Sequence, residues 1–156
     1  MTLWVDADAC PATIKELIIR SAGRLRIMAV FVANKYISIS ESSYVSSCRI
    51  VANPEAVDMH IIENAQAGDV AVTQDIPLAS ALVAKGVMVI STRGELFTEA
   101  NIGERVSIRN FMQDLRDAGN ITPGPKEFGR KDSQRFADTL DRVLTLLLRT
   151  KDIQTQ

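Results

Sequence analysis

The sequence predicts an α/β protein, a three-layer α/β/α arrangement around a mostly parallel sheet of about five strands, with helices added at the carboxyl-terminal end. Three observations carry this expectation. Short apolar runs rich in β-branched residues alternate with stretches of helical length from Leu3 to Ile90. Those runs are nearly continuous in hydrophobicity, the pattern of strands covered on both faces. The 156 residues, 46% hydrophobic and 24% charged, suffice for one core and are too few for two.

The elements follow in order. The strand candidates are "LWV" (3–5), "IMAVFVA" (27–33), "CRIV" (48–51), "VAVT" (70–73) and "VMVI" (87–90), each too short for a helix. Pro11 to Ala22 reads as a helix, with Pro at an early helical position and Ile14, Leu17 and Ile18 on one face. Glu55 to Ala67 and Ile76 to Lys85 read as helices, the second closed by Gly86. The serine-rich "SISESSYVSS" (38–47) reads as a loop. Beyond the sheet, Glu104 to Ala118 is expected to be helical, "NITPGPKEFGRK" a Pro/Gly connection, and Asp132 to Arg149 a last helix with Phe136, Leu140, Val143, Leu144 and Leu147 facing the core. Residues 1–150 are expected to form one domain and 151–156 a disordered tail.

Eighteen Lys and Arg against nineteen Asp and Glu leave a net charge of −1, so no global field marks a polyanionic partner, although a local basic patch would suffice to bind nucleic acid. No basic and apolar leader opens the chain and no apolar run reaches membrane-spanning length, so a cytoplasmic protein without a membrane partner is expected. Cys10 and Cys48 make neither a disulfide framework nor a zinc spacing, and the single His60 excludes a histidine-rich metal site. The sequence leaves the oligomeric state open.

The chemistry lies in the acids. "WVDADACP" leaves its strand through Asp6 and Asp8, two carboxylates whose repulsion has to be offset by a cation or by open water. In doubly covered parallel sheets, ligands sit beyond the carboxyl ends of the strands. Asp6 and Asp8 follow the first strand and Asp75 follows "VAVT", whereas Asp69 precedes that strand and belongs at the opposite edge as a turn or cap residue. Glu55 and Asp58, three apart in a helix, point to one side. A set of four or five carboxylates without His or Cys suits Mg²⁺ or Mn²⁺. Each acid also has a simpler explanation: Asp8 and Asp75 as helix caps, Glu55 as a first-turn acid, Asp58 as a solvated helix residue. Cys10 reads as a small half-buried residue rather than a reactive thiol, and His60 as a surface helix residue rather than a catalyst.

"WVDADACP", "VAN", "VDMHIIENAQAGDVAVTQDIPLA", "STRGELFTEANI", "RNFMQDLR" and "GPKEFGRKDSQRFADTLDR" together resemble the bacterial YaiI/YqxD family of uncharacterised proteins, over almost the whole chain from Met1 to about Arg149. The family is thought to be related to PIN and NYN domains, metal-dependent nucleases of three-layer α/β fold with acids at the sheet edge. The resemblance implies a PIN-like fold with Asp6, Asp8, Asp58 and Asp75 at the acidic positions. Glu55 stands where the family pattern has aspartate, and "TPGP" replaces "TGGP" with Pro123.

The expected mechanism is phosphodiester hydrolysis of RNA or single-stranded DNA. One or two Mg²⁺ or Mn²⁺ ions held by Asp6, Asp8, Asp58 and Asp75 would activate water and stabilise developing charge. Asp6, Asp8 and Asp75 are the expected catalytic residues. Arg93, Lys126, Arg130, Lys131 and Arg135 are candidates for phosphate contacts, against the alternative of a solvated basic face. Asn34 is a candidate for orienting water or substrate, and Asp132 reads as the N-cap of the last helix or an acid behind the site. Two rivals stand beside this reading. One is a phosphatase of haloacid dehalogenase type using the DxD at Asp6 and Asp8, which also wants a lysine and an acidic pair after a later strand. The other is a non-catalytic metal- or RNA-binding module, against which the 5% aromatic content speaks mildly.

Overall fold

The computed structural model describes residues 1–124 and 126–155. Its sheet has six strands, β1 (Thr2–Asp6), β2 (Met28–Ala33), β3 (Val45–Arg49), β4 (Val70–Val72), β5 (Met88–Ile90) and β6 (Leu96–Phe97), in the order β3-β2-β1-β4-β5-β6. All neighbours pair in parallel except β5 and β6. The strand order reverses direction between β1 and β4, which opens a crevice above their carboxyl ends.

Helices cover both faces, as continuous apolar strands require. On one face α1 (Ala12–Leu25) and α5 (Arg130–Thr155) bury Ile14, Ile18, Phe136, Leu140 and Leu144 against Leu3, Val5, Phe31 and Val72. On the other, α2 (Pro54–Asn64), α3 (Ile76–Ala84) and α4 (Glu99–Asp117) bury Val57, Ile61, Leu78, Leu82 and Ile102 against Val32, Ala71 and Val89. This is the three-layer α/β/α architecture expected, PIN-like in its layers and its mostly parallel sheet.

Four differences from the sequence reading have local causes. The short antiparallel β6 adds a sixth strand, because two residues carry no periodicity to read. β3 begins at Val45, inside the expected serine-rich loop, and tolerates Ser46, Ser47 and Arg49 because it is an edge strand with water beside it. Helix α4 starts at Glu99 rather than Glu104, because Thr98 and Asn101 cap its first turn reciprocally: Thr98 Oγ1 accepts from the Asn101 N–H at 3.3 Å and Asn101 Oδ1 from the Thr98 N–H at 2.8 Å. Helix α5 runs from Arg130 to Thr155, so the expected tail at 151–156 is helical through Thr155, and Gln156 lies outside the described residues.

Helix α5 spans the sheet from one edge to the other. At the carboxyl edge Gly94, with φ +86, lies so close to α5 that a Cβ there would stand 2.6 Å from the Arg135 backbone. Only glycine allows that approach. The buried Thr139 hydroxyl then donates to the Gly94 carbonyl at 2.8 Å. At the amino edge, Leu147 and Thr150 border the same depression as Met1 and Asp69.

Candidate functional site

The crevice at the reversal of strand order is where the acids gather. Asp6 closes β1, and its Oδ2 accepts from Thr73 Oγ1 at 2.8 Å across the switch to β4. Thr73 is buried, and its hydroxyl oxygen also accepts from the Asp75 N–H at 3.0 Å, so one hydroxyl ties the ends of β1 and β4 together. Asp8 is exposed, two residues beyond the end of β1. Its two oxygens accept from the backbone N–H groups of Asn34 at 2.7 Å and Lys35 at 3.0 Å, which hold the exit of β2. Glu55 and Asp58 come from α2 on the other side of the crevice. Asp6, Asp8, Glu55, Asp58 and Asp75 line one open depression together with Ala9, Val57 and Gln74.

The electrostatics agree with this proximity. Burial pushes the Asp58 carboxyl up to about 6, with the charges of Asp75, Asp6 and Glu55 adding to the shift. Burial also raises Asp6; the Thr73 hydrogen bond opposes that rise, while the charges of Asp75 and Asp8 reinforce it. Among the described residues, however, no three carboxylate, imidazole or thiol groups converge closely enough to hold a metal ion. The acids ring the depression rather than meeting at a point. Their donor chemistry, hard oxygens only, fits Mg²⁺ or Mn²⁺.

The simpler explanations divide. Asp75 is the N-cap of α3, its Oδ1 accepting from the Leu78 N–H at 2.9 Å. Asp8 is not a helix cap: α1 is preceded by Pro11 and has no side-chain cap. Glu55 lies in the first turn of α2, whose cap is Asn53, accepting from the Ala56 N–H at 2.8 Å. Cys10 is buried and its thiol is pushed up to about 12 by burial, which removes it as a nucleophile. His60 is half-buried, edge-on to the Trp4 ring, with its Nε2 3.9 Å from Cys48 Sγ. Asp69 lies at the opposite edge, where it accepts from the N–H groups of Thr2 and Gln66 and from Trp4 Nε1.

The basic candidates stand at the same edge as the acids, beyond β5. Arg93 is committed to structure: it pairs with Asp132 at 2.9 Å, donates to the Lys126 carbonyl and lies 5.6 Å from the Phe128 ring centroid. Asp132 stands in the first turn of α5 and reaches back to the Gly129 N–H at 2.9 Å, so it is a first-turn capping acid and not the N-cap residue itself. Lys126, Arg130, Lys131 and Arg135 are exposed around the start of α5. The Asn34 side chain is turned from the acids, donating to the Ile50 carbonyl at 2.8 Å, so it braces β2 and the exit of β3. Thr73, which organises the crevice, went unread in the sequence; its signal is a hydroxyl two residues before an acid at a strand end.

Fold and site together define a PIN-like α/β protein with an acidic crevice at the switch point of its sheet. The family model described as "Uncharacterized BCR, YaiI/YqxD family" matches residues 4–146. The chain belongs to that family. It is 67% identical over 145 residues to a UPF0178 protein of Syntrophobacter fumaroxidans, covering 93% of this chain and 95% of the relative. It is 51% identical over 151 residues to a UPF0178 protein of Myxococcus xanthus, covering 97% and 99%. A UPF0178 protein of Treponema pallidum is 49% identical over 149 residues, covering 96% of this chain and 84% of that one. No solved structure matches. Among the described residues no helix is long and apolar enough to cross a membrane.

Proposed function

We propose that the protein is a cytoplasmic metal-dependent nuclease that hydrolyses phosphodiester bonds in RNA or single-stranded DNA. The observation that carries the reading is that Asp6 and Asp8 at the exit of β1, Asp58 of α2 and Asp75 at the start of α3 line one open depression at the switch point of the sheet. Those four carboxylates would hold Mg²⁺ or Mn²⁺, which when bound supplies Lewis acidity and an activated water. Asp6 has the central role: it is half-buried, and Thr73 keeps its carboxylate turned toward the end of β4. Asp8 and Asp75 each hold backbone N–H groups, which fixes their position at the rim. Asp58, its carboxyl raised to about 6 by burial and by the neighbouring acids, faces the same depression and is largely ionised at neutral pH, as a ligand to a hard cation has to be. The exposed Lys126, Arg130, Lys131 and Arg135 supply positive charge for phosphates along the same edge. The phosphatase alternative wants an acidic pair after a later strand, and Asp75 is the single acid between β4 and α3.

The test is cleavage of labelled RNA and single-stranded DNA with Mn²⁺ or Mg²⁺, beside hydrolysis of small phosphomonoesters. Asp6→Asn keeps the size and the acceptor for Thr73 but removes the charge, so cleavage is expected to disappear while the fold remains. Phosphomonoester hydrolysis without cleavage of either polymer would move the assignment to the phosphatase. Wild type inert on both classes would leave the binding module.

A further inference from the structure

Beside the acidic depression, on the far side of Asp8, lies a second one of different chemistry. It is formed where β2 and β3 end: Ala33 and Ile37 give it an apolar floor, and Lys35, Tyr36, Ser47, Cys48 and Arg49 complete its lining. The two share a wall, because the Asp8 carboxylate that borders the acids accepts the Lys35 backbone N–H at 3.0 Å. Tyr36 is 79% exposed, an aromatic residue left in water at the carboxyl edge of the sheet. A single exposed ring is ordinary; this one shares its depression with two exposed cations, Lys35 and Arg49, and its face is open to stacking.

Two exposed cations line it, and the two carboxylates beside it, Asp8 and Glu41, are both engaged by hydrogen-bond donors. The Lys35 ammonium makes no ion pair among the described residues. Arg49 gives its Nε to the Asn34 carbonyl at 3.4 Å, which leaves the terminal guanidinium nitrogens for outward contacts. The nearby Glu41 is turned to β3, accepting from the Ser47 N–H at 3.2 Å and Ser47 Oγ at 3.0 Å. Two cations flanking one exposed ring match a nucleotide: phosphate to the cations, base to the ring face. An apolar peptide would leave both cations unmatched, and a duplex would offer no free base face.

We infer that the Lys35–Tyr36–Arg49 depression is a nucleotide subsite of the acidic crevice, where Tyr36 stacks one base of a single strand and Lys35 and Arg49 hold its phosphates. The inference rests on the nuclease reading for the direction of the strand, which runs from this subsite past Asp8 into the acids. It deepens that reading by making the substrate single-stranded and by naming the residues that select it.

The experiment is fluorescence anisotropy with labelled hexanucleotides of RNA and DNA and the matching duplexes, in chelator so that nothing is cut, followed by cleavage kinetics in Mn²⁺. Wild type is expected to bind the single strands at least tenfold more tightly than the duplexes. Tyr36→Ala weakens that binding about five- to a hundredfold, and Tyr36→Phe, which keeps the ring face, restores most of it. The Lys35→Ala and Arg49→Ala pair flattens the salt dependence. These residues are exposed or at the sheet edge, and unchanged thermal melting confirms that the variants fold. Single-strand binding untouched by Tyr36→Ala, or equal binding of duplex and single strand, overturns the subsite. If binding depends on Tyr36 but no polymer is cut, the subsite stands and the nuclease reading falls; if cleavage proceeds with KM unmoved by Tyr36→Ala, the reverse holds.

Discussion

Replacing Asp58 by asparagine is expected to stabilise the protein at neutral pH and to do nothing at pH 4. In the folded state the Asp58 carboxyl sits at about 6 against its ordinary 3.8, raised by burial and then by the charges of Asp75, Asp6 and Glu55. A raised acid holds its proton more tightly folded than unfolded, so the native state gains protons relative to the unfolded one between those values. Stability therefore falls as pH rises from about 4 to about 6, and the whole cost is present above that window. A displacement of about two pH units corresponds to roughly 3 kcal/mol, which water screening of a half-buried carboxylate reduces to about 1–2 kcal/mol. The substituted amide carries no charge to desolvate or repel, so Asp58→Asn gains about that amount at pH 7.5, or roughly 3–6 °C in Tm for a chain of this size. Urea unfolding at pH 4 and pH 7.5, in chelator, reads both arms. A destabilised Asp58→Asn at pH 7.5, or the same difference at both pH values, would refute the argument that burial and the neighbouring acids together disfavour the Asp58 carboxylate.

Two further outcomes follow from the same crevice and the opposite edge. Mn²⁺ at a hundred times its Kd adds about 2.7 kcal/mol of stability by binding the folded state alone, and Asp6→Asn removes that gain; calorimetric melting unmoved by millimolar Mn²⁺ and Mg²⁺ in wild type counts against a metal site. Asp69→Ala strands the Thr2 N–H, the Gln66 N–H and the Trp4 indole N–H around a partly buried gap. It costs about 3 kcal/mol, read in urea titration, with no effect on metal-induced stabilisation, because Asp69 lies at the amino edge; a loss below about 1 kcal/mol would show those donors to be satisfied by water.

The layers of this fold are legible in the sequence because burial on both faces writes a continuous apolar signal. "IMAVFVA" and "VAVT" lie in the sheet whatever their neighbours are, and the placement of Asp6, Asp8 and Asp75 at the carboxyl edge follows from chain direction once the strands are parallel. Asp69 sorts to the other edge by the same argument. Elements held by few residues or by polar contacts write no such signal. β6 is two residues long, β3 is polar because its outer edge meets water, and α4 begins where Thr98 and Asn101 exchange hydrogen bonds. The helical course of 151–155 is unreadable for a related reason: a chain end with few apolar residues shows no periodicity whether or not it is helical.

What the sequence determines by itself, then, is which residues carry charge at which end of which strand, since strand direction and two-faced burial are local consequences of composition. Tertiary structure alone decides how those charges are shared. The order β3-β2-β1-β4 makes Asp6 and Thr73 neighbours across 67 positions of chain, and it places Asp8 between the acids and the Lys35–Tyr36–Arg49 depression. It also pairs Arg93 with Asp132, 39 positions away. Partners so distant are chosen by strand order and helix packing, which arise from burying the whole apolar surface at once. No window of neighbouring residues contains that information.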